Sequence, residues 1–323
     1  MTEQHDETQG ESGDLFQRLT SELAKVIVGH EAVLKQMLVA LAAGGHVLLE
    51  GPPGTAKTLA VSALAKALRC DFKRVQFTPD LMPADIVGTH VFDLKAQSFE
   101  LRRGPIFTDI LLADEINRAP ARTQAALLEG MQELQVTIDG TRYPLPPTFT
   151  VFATQNPIEF EGTFPLPEAQ LDRFLCKIVV SYPSREEEEG ILASYNEGFD
   201  PLHLEKRIVP VTDSRGLLSL RERVKRVTVL PPVMGYITDI VRRTREHPAI
   251  ALGASPRASV ALFLAARALA GLEARGFVTP DDVQAMALPV LRHRVLLKPE
   301  AEIEGATPDA CITSILDAVP VPR

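Results

Sequence analysis

Apolar residues recur at helical spacing from Leu15 to Ala43, interrupted at VIVGHEAV, where Gly29 marks a turn between two helices. HVLLE (46–50) then has the length of a strand and stops at a loop rich in glycine and proline. TLAVSALAKALR (58–69) follows with strong helix formers and one apolar face. Further short apolar runs stand at FKRVQF (72–77), DILLAD (109–114), TFTVFAT (148–154) and CKIVV (176–180), with the helical pattern RTQAALLEGMQEL between the second and third. Strands alternating with helices predict an α/β core whose largely parallel sheet is covered on both faces. Two stretches depart from this plan. THVFDLKAQSFELRRGP (89–105) and QVTIDGTRYPLPP (135–147) alternate apolar and polar residues around turns, with Asp139–Gly140 a good hairpin turn, and both read as hairpin insertions.

After Pro183 the pattern becomes helical, beginning with SREEEEGILASY, where Ser184 caps a helix and glutamates occupy its first turn. The reading is therefore an α/β core over 14–182 and an all-helical second domain over 183–323. Residues 1–13, MTEQHDETQGESG, are polar and acidic and predict a disordered tail. A length of 323 residues accommodates two domains. The net charge of -8 weighs against a general nucleic-acid binder, which needs a basic face. Apolar stretches such as LVALAAGG fall short of the ~20 residues that cross a bilayer, and no signal pattern opens the chain, so a cytoplasmic location is expected. The three cysteines form no C-x-x-C pair, and no two histidines have metal-ligand spacing.

The chemistry concentrates at the ends of the predicted strands. EGPPGTAKTLA (50–60) nearly matches the phosphate-cradling pattern G-x-x-x-x-G-K-[ST], in a strand–loop–helix setting. Gly51 would end the strand, Pro52 and Pro53 would shape the loop, and Gly54 would let the N–H groups of the loop through Thr55 and Ala56 turn toward phosphates; Lys57 would reach the β- and γ-phosphates, and the Thr58 hydroxyl would hold Mg²⁺, with Leu59 continuing the helix. A Gly/Pro turn before an exposed lysine is the plainer alternative. Ala56 stands where the pattern has its last glycine. Its methyl adds little bulk provided φ stays negative. ILLADEIN delivers Asp114 and Glu115 at a strand end, the first suited to water-mediated Mg²⁺ binding and the second to polarising an attacking water. Asn156 ends another apolar strand in FATQNP, where its amide could hold that water, although Asn-Pro is also a common turn. Arg173 in PEAQLDRF and Arg257 in GASPRASV could each stabilise charge on a transferring phosphoryl group, or simply form surface ion pairs.

EGPPGTAKT, GPIFTDILLADEINRAPARTQAALLEGMQE, FATQNPIEFEGTFPLPEAQLDRF, SPRA and DVQAMALPVLRHRV together resemble the MoxR family of AAA+ ATPases, in register from about Leu15 to Val295. The resemblance implies a P-loop AAA+ core with strand order 5-1-4-3-2 and a helical lid. It implies ATP and Mg²⁺ as cofactors, with Lys57 and Thr58 as the Walker A pair and Asp114 and Glu115 as the Walker B pair. Asn156 matches the sensor 1 position, Arg173 the arginine finger that acts on the adjacent subunit, and Arg257 the sensor 2 arginine. Val28 and Gly29 match the segment that touches adenine. The insertion near 89–105 resembles the helix-2 insert of the clade, and that near 135–147 the hairpin before sensor 1. Proteins of this family often carry alanine at the place of Ala56.

The implied function is a chaperone-type motor, a homo-oligomeric ring of six, that binds ATP between core and lid at a subunit boundary. Its output would be maturation of protein complexes, sometimes with metal insertion and often with a von Willebrand A-domain partner. No nucleic acid and no membrane insertion are expected. A chelatase motor subunit is a near alternative, and a DNA-directed motor a more distant one that the net charge opposes. A nucleotide-switch scaffold without hydrolysis would have no need of Glu115.

Overall fold

The computed structural model describes residues 3–95, 97–156 and 163–322. Positions 157–162, inside the motif that runs from Phe152 to Phe174, lie outside the described residues. The chain opens with α1 (Glu3–Ala24) and α2 (Glu31–Ala43). Helical backbone thus extends through the segment for which the sequence predicts a disordered tail. Once the packed half of α1 nucleates the helix, each added residue gains a hydrogen bond at little further cost.

The core follows as β1 (Val47–Glu50), α3 (Lys57–Ala67), β2 (Phe72–Gln76) and the short α4 (Pro83–Val87). A hairpin of β3 (Gly88–Asp93) and β4 (Ser98–Arg103) precedes β5 (Ile110–Asp114) and α5 (Ala121–Glu133). A second hairpin, β6 (Gln135–Ile138) and β7 (Thr141–Pro144), turns through Asp139 and Gly140 at φ 48° and 81°. Left-handed dihedrals at both turn residues suit the twist of the flanking strands. Strand β8 (Thr150–Gln155), the one-turn α6 (Glu168–Leu171) and β9 (Cys176–Val179) complete the core.

Five of these strands form one sheet in the order β2-β5-β8-β1-β9, with every pairing parallel. Numbered only among themselves, they read 2-3-4-1-5 from one edge and 5-1-4-3-2 from the other. All five residues of β5 are buried, as expected of a sheet covered on both faces. Alternate residues feed two separate cores. Leu49, Leu112 and Phe152 join the one beneath α1–α3 and the second domain, while Leu48, Leu111 and Ala153 join the one beneath α4 and α5.

The second domain comprises α7 (Arg185–Asn196), α8 (Ser214–Val224), α9 (Pro231–Thr244), β10 (Ile250–Leu252), α10 (Pro256–Leu272), α11 (Pro280–Leu291), β11 (Leu296–Leu297), α12 (Pro299–Ile303) and α13 (Pro308–Ala318). It is not wholly helical, because β10 and β11 pair antiparallel across a bulge. Such short strands fall below what sequence alternation can signal. Ser184 caps α7 reciprocally with Glu187, at 3.2 Å and 2.7 Å. Arg221 of α8 fastens this domain to the core, donating to the carbonyls of Leu41 (2.9 Å) and Pro147 (2.7 Å) and to the Thr150 hydroxyl (3.0 Å). Among the described residues no helix is long and apolar enough to cross a membrane.

His46 is buried where α5 ends against the sheet. Its Nε2 donates to the Met131 carbonyl at 2.9 Å and its Nδ1 accepts from the Val151 N–H at 3.0 Å, which fixes a neutral tautomer. Burial lowers its pKa to about 4. A histidine held below its unfolded value of 6.5 contributes its full stability above that pH and loses it as the pH falls toward 4. About 2 kcal/mol should be gone by pH 5. The melting temperature should therefore fall between pH 7 and pH 5, and His46→Gln, which keeps a donor and an acceptor, should flatten that fall. Equal slopes in the two proteins would show that His46 is not the titrating group.

Candidate nucleotide site

Parallel register sets the site. Glu50 of β1 stands opposite Gln155 of β8, and Ala113 of β5 opposite Ala153, so the chain leaves all three strands at the same edge. There the loop 51–56, the Asp114–Glu115 pair and Asn156 come together. Gly51 is required by space rather than by torsion, because a β-carbon there would sit 2.2 Å from the Val180 carbonyl oxygen. Gly54 has φ 79° with open space where a side chain would begin, as a main-chain cradle for an anion needs. Thr55 closes the loop by donating to the Pro52 carbonyl at 2.9 Å.

Ala56 does not keep the negative φ that the sequence reading assumed. It is left-handed, φ 57° and ψ 18°, and caps α3 without a side-chain hydrogen bond. The torsion aims successive N–H groups into the cradle, and glycine is favoured at this place in the pattern for that reason. Lys57 begins α3, and its Nζ lies 2.7 Å from the carbonyl oxygens of both Gly51 and Pro52. Partial burial lowers its pKa, while the charges of Asp114 and Glu115 pull the other way. The ammonium therefore lies within the field of both carboxylates.

Those carboxylates are held by groups that the sequence reading did not single out. Asp114 is nearly buried. Its Oδ1 accepts from the Thr154 hydroxyl at 2.5 Å, and its Oδ2 accepts a fork from Arg74, at 3.1 Å from Nε and 2.7 Å from Nη2. Glu115 is left-handed at φ 55°, and its N–H donates to the same Thr154 hydroxyl at 2.8 Å. Its Oε2 accepts from the Gln76 amide at 2.7 Å and faces Arg118 Nε at 3.0 Å. Arg74 also donates to Gln76 at 3.2 Å, so the end of β2 supports both acids through one chain of bonds. The only advance signal was that β2, FKRVQ, carries Lys73, Arg74 and Gln76, where β5, ILLAD, is apolar up to Asp114.

A cavity of about 380 Å³ opens beside the loop. Gly54–Leu59 form one wall, residues 26–28 with His30 a second, and Ile191, Tyr195 and Phe199 a third. A mostly apolar slot next to an amide cradle accommodates a flat base joined to phosphates. Val28 lines it, whereas Gly29 (φ 71°) stands behind, so close to Glu187 of α7 that a β-carbon would lie 2.2 Å from Oε1. The aromatic wall of Tyr195 and Phe199, 5.5 Å apart edge to face, was missed because it follows an acidic helix start that reads as solvated surface. The Thr58 hydroxyl at the cavity and the Asp114 carboxylate beside Lys57 are hard oxygen donors, which suits a magnesium ion. No group of three or more His, Cys, Asp or Glu capable of holding a metal by itself occurs among the described residues.

Neither arginine lines this cavity. Arg173 precedes β9, where Leu175 N–H donates to the His46 carbonyl at the beginning of β1, the end of the sheet remote from the loop. Its guanidinium donates to Gln132 Oε1 (3.0 Å) and to the Ala169 carbonyl (3.1 Å). Arg257 is exposed at the start of α10 and acts electrostatically on Arg294, which pairs with Asp172. Arg173 directly follows Asp172 in the chain, and Arg257 lies near enough to Arg294, the partner of Asp172, to act on it electrostatically.

A family model of ATPases associated with various cellular activities (AAA) matches residues 46–176, and a model of the AAA lid domain matches residues 242–315. The chain is 47% identical over 308 residues to the Bacillus subtilis protein YeaC, covering 95% of each. It is 45% identical to the chaperone MoxR1 of Mycobacterium tuberculosis, covering 95% of this chain and 82% of the relative. Protein MoxR of Paracoccus denitrificans is 32% identical, with 95% and 96% covered. A crystal structure of a candidate ATPase from Cytophaga hutchinsonii superposes with a TM-score of 0.91 at 39% identity, covering 100% of this chain and 99% of that one.

The torsion at Ala56 predicts the effect of restoring glycine. A left-handed alanine costs roughly 1–2 kcal/mol, and glycine returns about 0.4–1 kcal/mol of that through the entropy of the unfolded chain. Ala56→Gly should raise the melting temperature by about 2 °C and leave ATP turnover within tenfold. A clear drop in melting temperature would show that the methyl group makes contacts worth more than the strain.

Proposed function

The chain belongs to the MoxR family of AAA+ ATPases, and from that premise we propose a ring-forming motor whose nucleotide sites are each completed by the next subunit. ATP hydrolysis is the activity of this chaperone-like family. In our reading ATP lies in the cavity beside Val28, with its phosphates over Gly51–Ala56. Lys57 leaves the Gly51 and Pro52 carbonyls to meet the β- and γ-phosphates. Magnesium, when bound, supplies charge neutralisation at the phosphates, and Thr58 and Asp114 are the residues that would hold it. Glu115 polarises the attacking water, and Asn156, brought to the same edge by β8, orients that water.

The observation that carries the proposal is the placement of the two arginines. Phosphoryl transfer concentrates negative charge that a guanidinium can stabilise, at a gain of ~10³–10⁵ in rate. Lys57 is the only cation lining the chain's own cavity among the described residues, His30 apart. Arg173 follows Asp172 directly, and Arg257 lies two residues beyond Ser255, which bonds Asp172; in our reading a neighbouring copy presents both to another subunit's ATP. We assign both to action in trans. The ring is taken to have six members, and its output to be remodelling of a client protein complex, with a von Willebrand A-domain protein as the natural partner. Metal insertion into such a client belongs to the same reading. The net charge of -8 continues to disfavour DNA as the client.

Mixing subunits tests the division of labour. Arg173→Ala subunits keep their loop and lose the arginine, whereas Lys57→Ala subunits keep the arginine and lose the loop. Each alone should be nearly inactive, and mixed rings should recover a substantial fraction of wild-type turnover. Mixed rings that form and remain inactive would refute action in trans.

A further inference from the structure

Arg294, like Arg221, binds the core from the second domain through several hydrogen bonds. Its side chain is 3% exposed and pairs with Asp172 Oδ1 at 2.7 Å. It also donates to the carbonyl oxygens of Asp172 (3.2 Å), Phe174 (2.6 Å) and Leu175 (3.1 Å), and to that of Val290 at the end of α11. His293 adds a bond from Nε2 to the Phe174 carbonyl at 3.0 Å, and burial holds its pKa well below the usual value, so the ring is neutral and Nε2 carries the proton. Ser255, two residues before Arg257, donates to Asp172 Oδ2 at 3.3 Å.

An ordinary buried ion pair needs one carboxylate. Here one arginine grips main-chain and side-chain acceptors immediately before and after Arg173, yet leaves the Arg173 side chain outside the grip, resting on Gln132 and Ala169. The same second domain lines the nucleotide cavity through Ile191 and Tyr195 of α7. The second domain therefore touches a subunit's own nucleotide site through α7 and, through the segment after α11, holds the chain on both sides of the arginine meant for the next subunit.

We propose that Arg294 is a positioning residue, which sets the presentation of Arg173 to the neighbouring nucleotide and so relays lid position from one subunit to hydrolysis in the next. The inference rests on Arg173 acting in trans. The rigid fork of arginine matters because a lysine ammonium cannot reach carbonyls on both sides of residue 173 at once.

Arg294→Lys keeps the charge and removes the fork. The variant should bind a fluorescent ATP analogue within about threefold of wild type and assemble normally by mass photometry, yet lose about tenfold or more in kcat. In mixed rings with Lys57→Ala, which carries intact arginines, it should regain activity as Arg173→Ala does. In mixed rings with Arg173→Ala it should not, since neither subunit then presents a working arginine. Unchanged kcat would overturn the proposal, as would failure of rescue by Lys57→Ala when Arg173→Ala is rescued, because the defect would then lie in the variant's own site. If Arg173→Ala itself is not rescued, action in trans falls and this inference falls with it. Should Arg294→Lys fail to fold, Asp172→Asn, which removes only the charged partner, carries the same expectations.

Discussion

Hydrogen-bond register in the parallel sheet is the constraint on which the rest depends. With β1, β5 and β8 adjacent and aligned, the phosphate loop, the two acids and Asn156 leave the sheet at one edge. A one-residue slip of β5 would turn Asp114 away from the Thr154 hydroxyl and point apolar side chains out of both cores. The chemistry is thus secured by the burial of residues such as Leu112 and Phe152 that never meet a ligand.

The same sheet separates the site from the charges that would complete it. Parallel strands put the cavity at their C-terminal ends, and the segment carrying Arg173 reaches β9 at the opposite end. A single chain therefore offers an apolar cavity, a glycine loop, a lysine and paired carboxylates, while Arg173 and Arg257 do not line that cavity. The carboxylates are satisfied by Arg74, Gln76 and Arg118, and Lys57 by loop carbonyls. Left-handed torsions at Ala56 and Glu115 place local strain where main-chain groups must point at a ligand.

Much of this was legible in the sequence because it depends on local rules. Strand-length apolar runs, the glycines of the loop and the Asp-Gly turn each carry a stereochemical meaning that needs no tertiary knowledge. The failures share a cause, which is dependence on distant partners. Nothing local signals that Ala56 adopts a positive φ, since the residue type argues against it and the ligand-facing loop imposes it. The roles of Arg74 and Gln76 follow from β2 pairing with β5, a crossover that no spacing reveals. The docking of the second domain through Arg221 and Arg294 was not legible either, because their acceptors lie far along the chain and most are main-chain carbonyls. The helical backbone from Glu3 was missed because composition describes what a segment can do alone, not what an adjoining helix extends.

The central claim is that one chain holds an incomplete catalytic site. It is tested most directly by following ATP turnover per subunit through a dilution series while weighing the particles at each concentration. The account predicts that turnover per subunit collapses as rings dissociate, with monomers retaining nucleotide binding and losing at least about a hundredfold in rate. Turnover per subunit that stays constant down to monomers would contradict it.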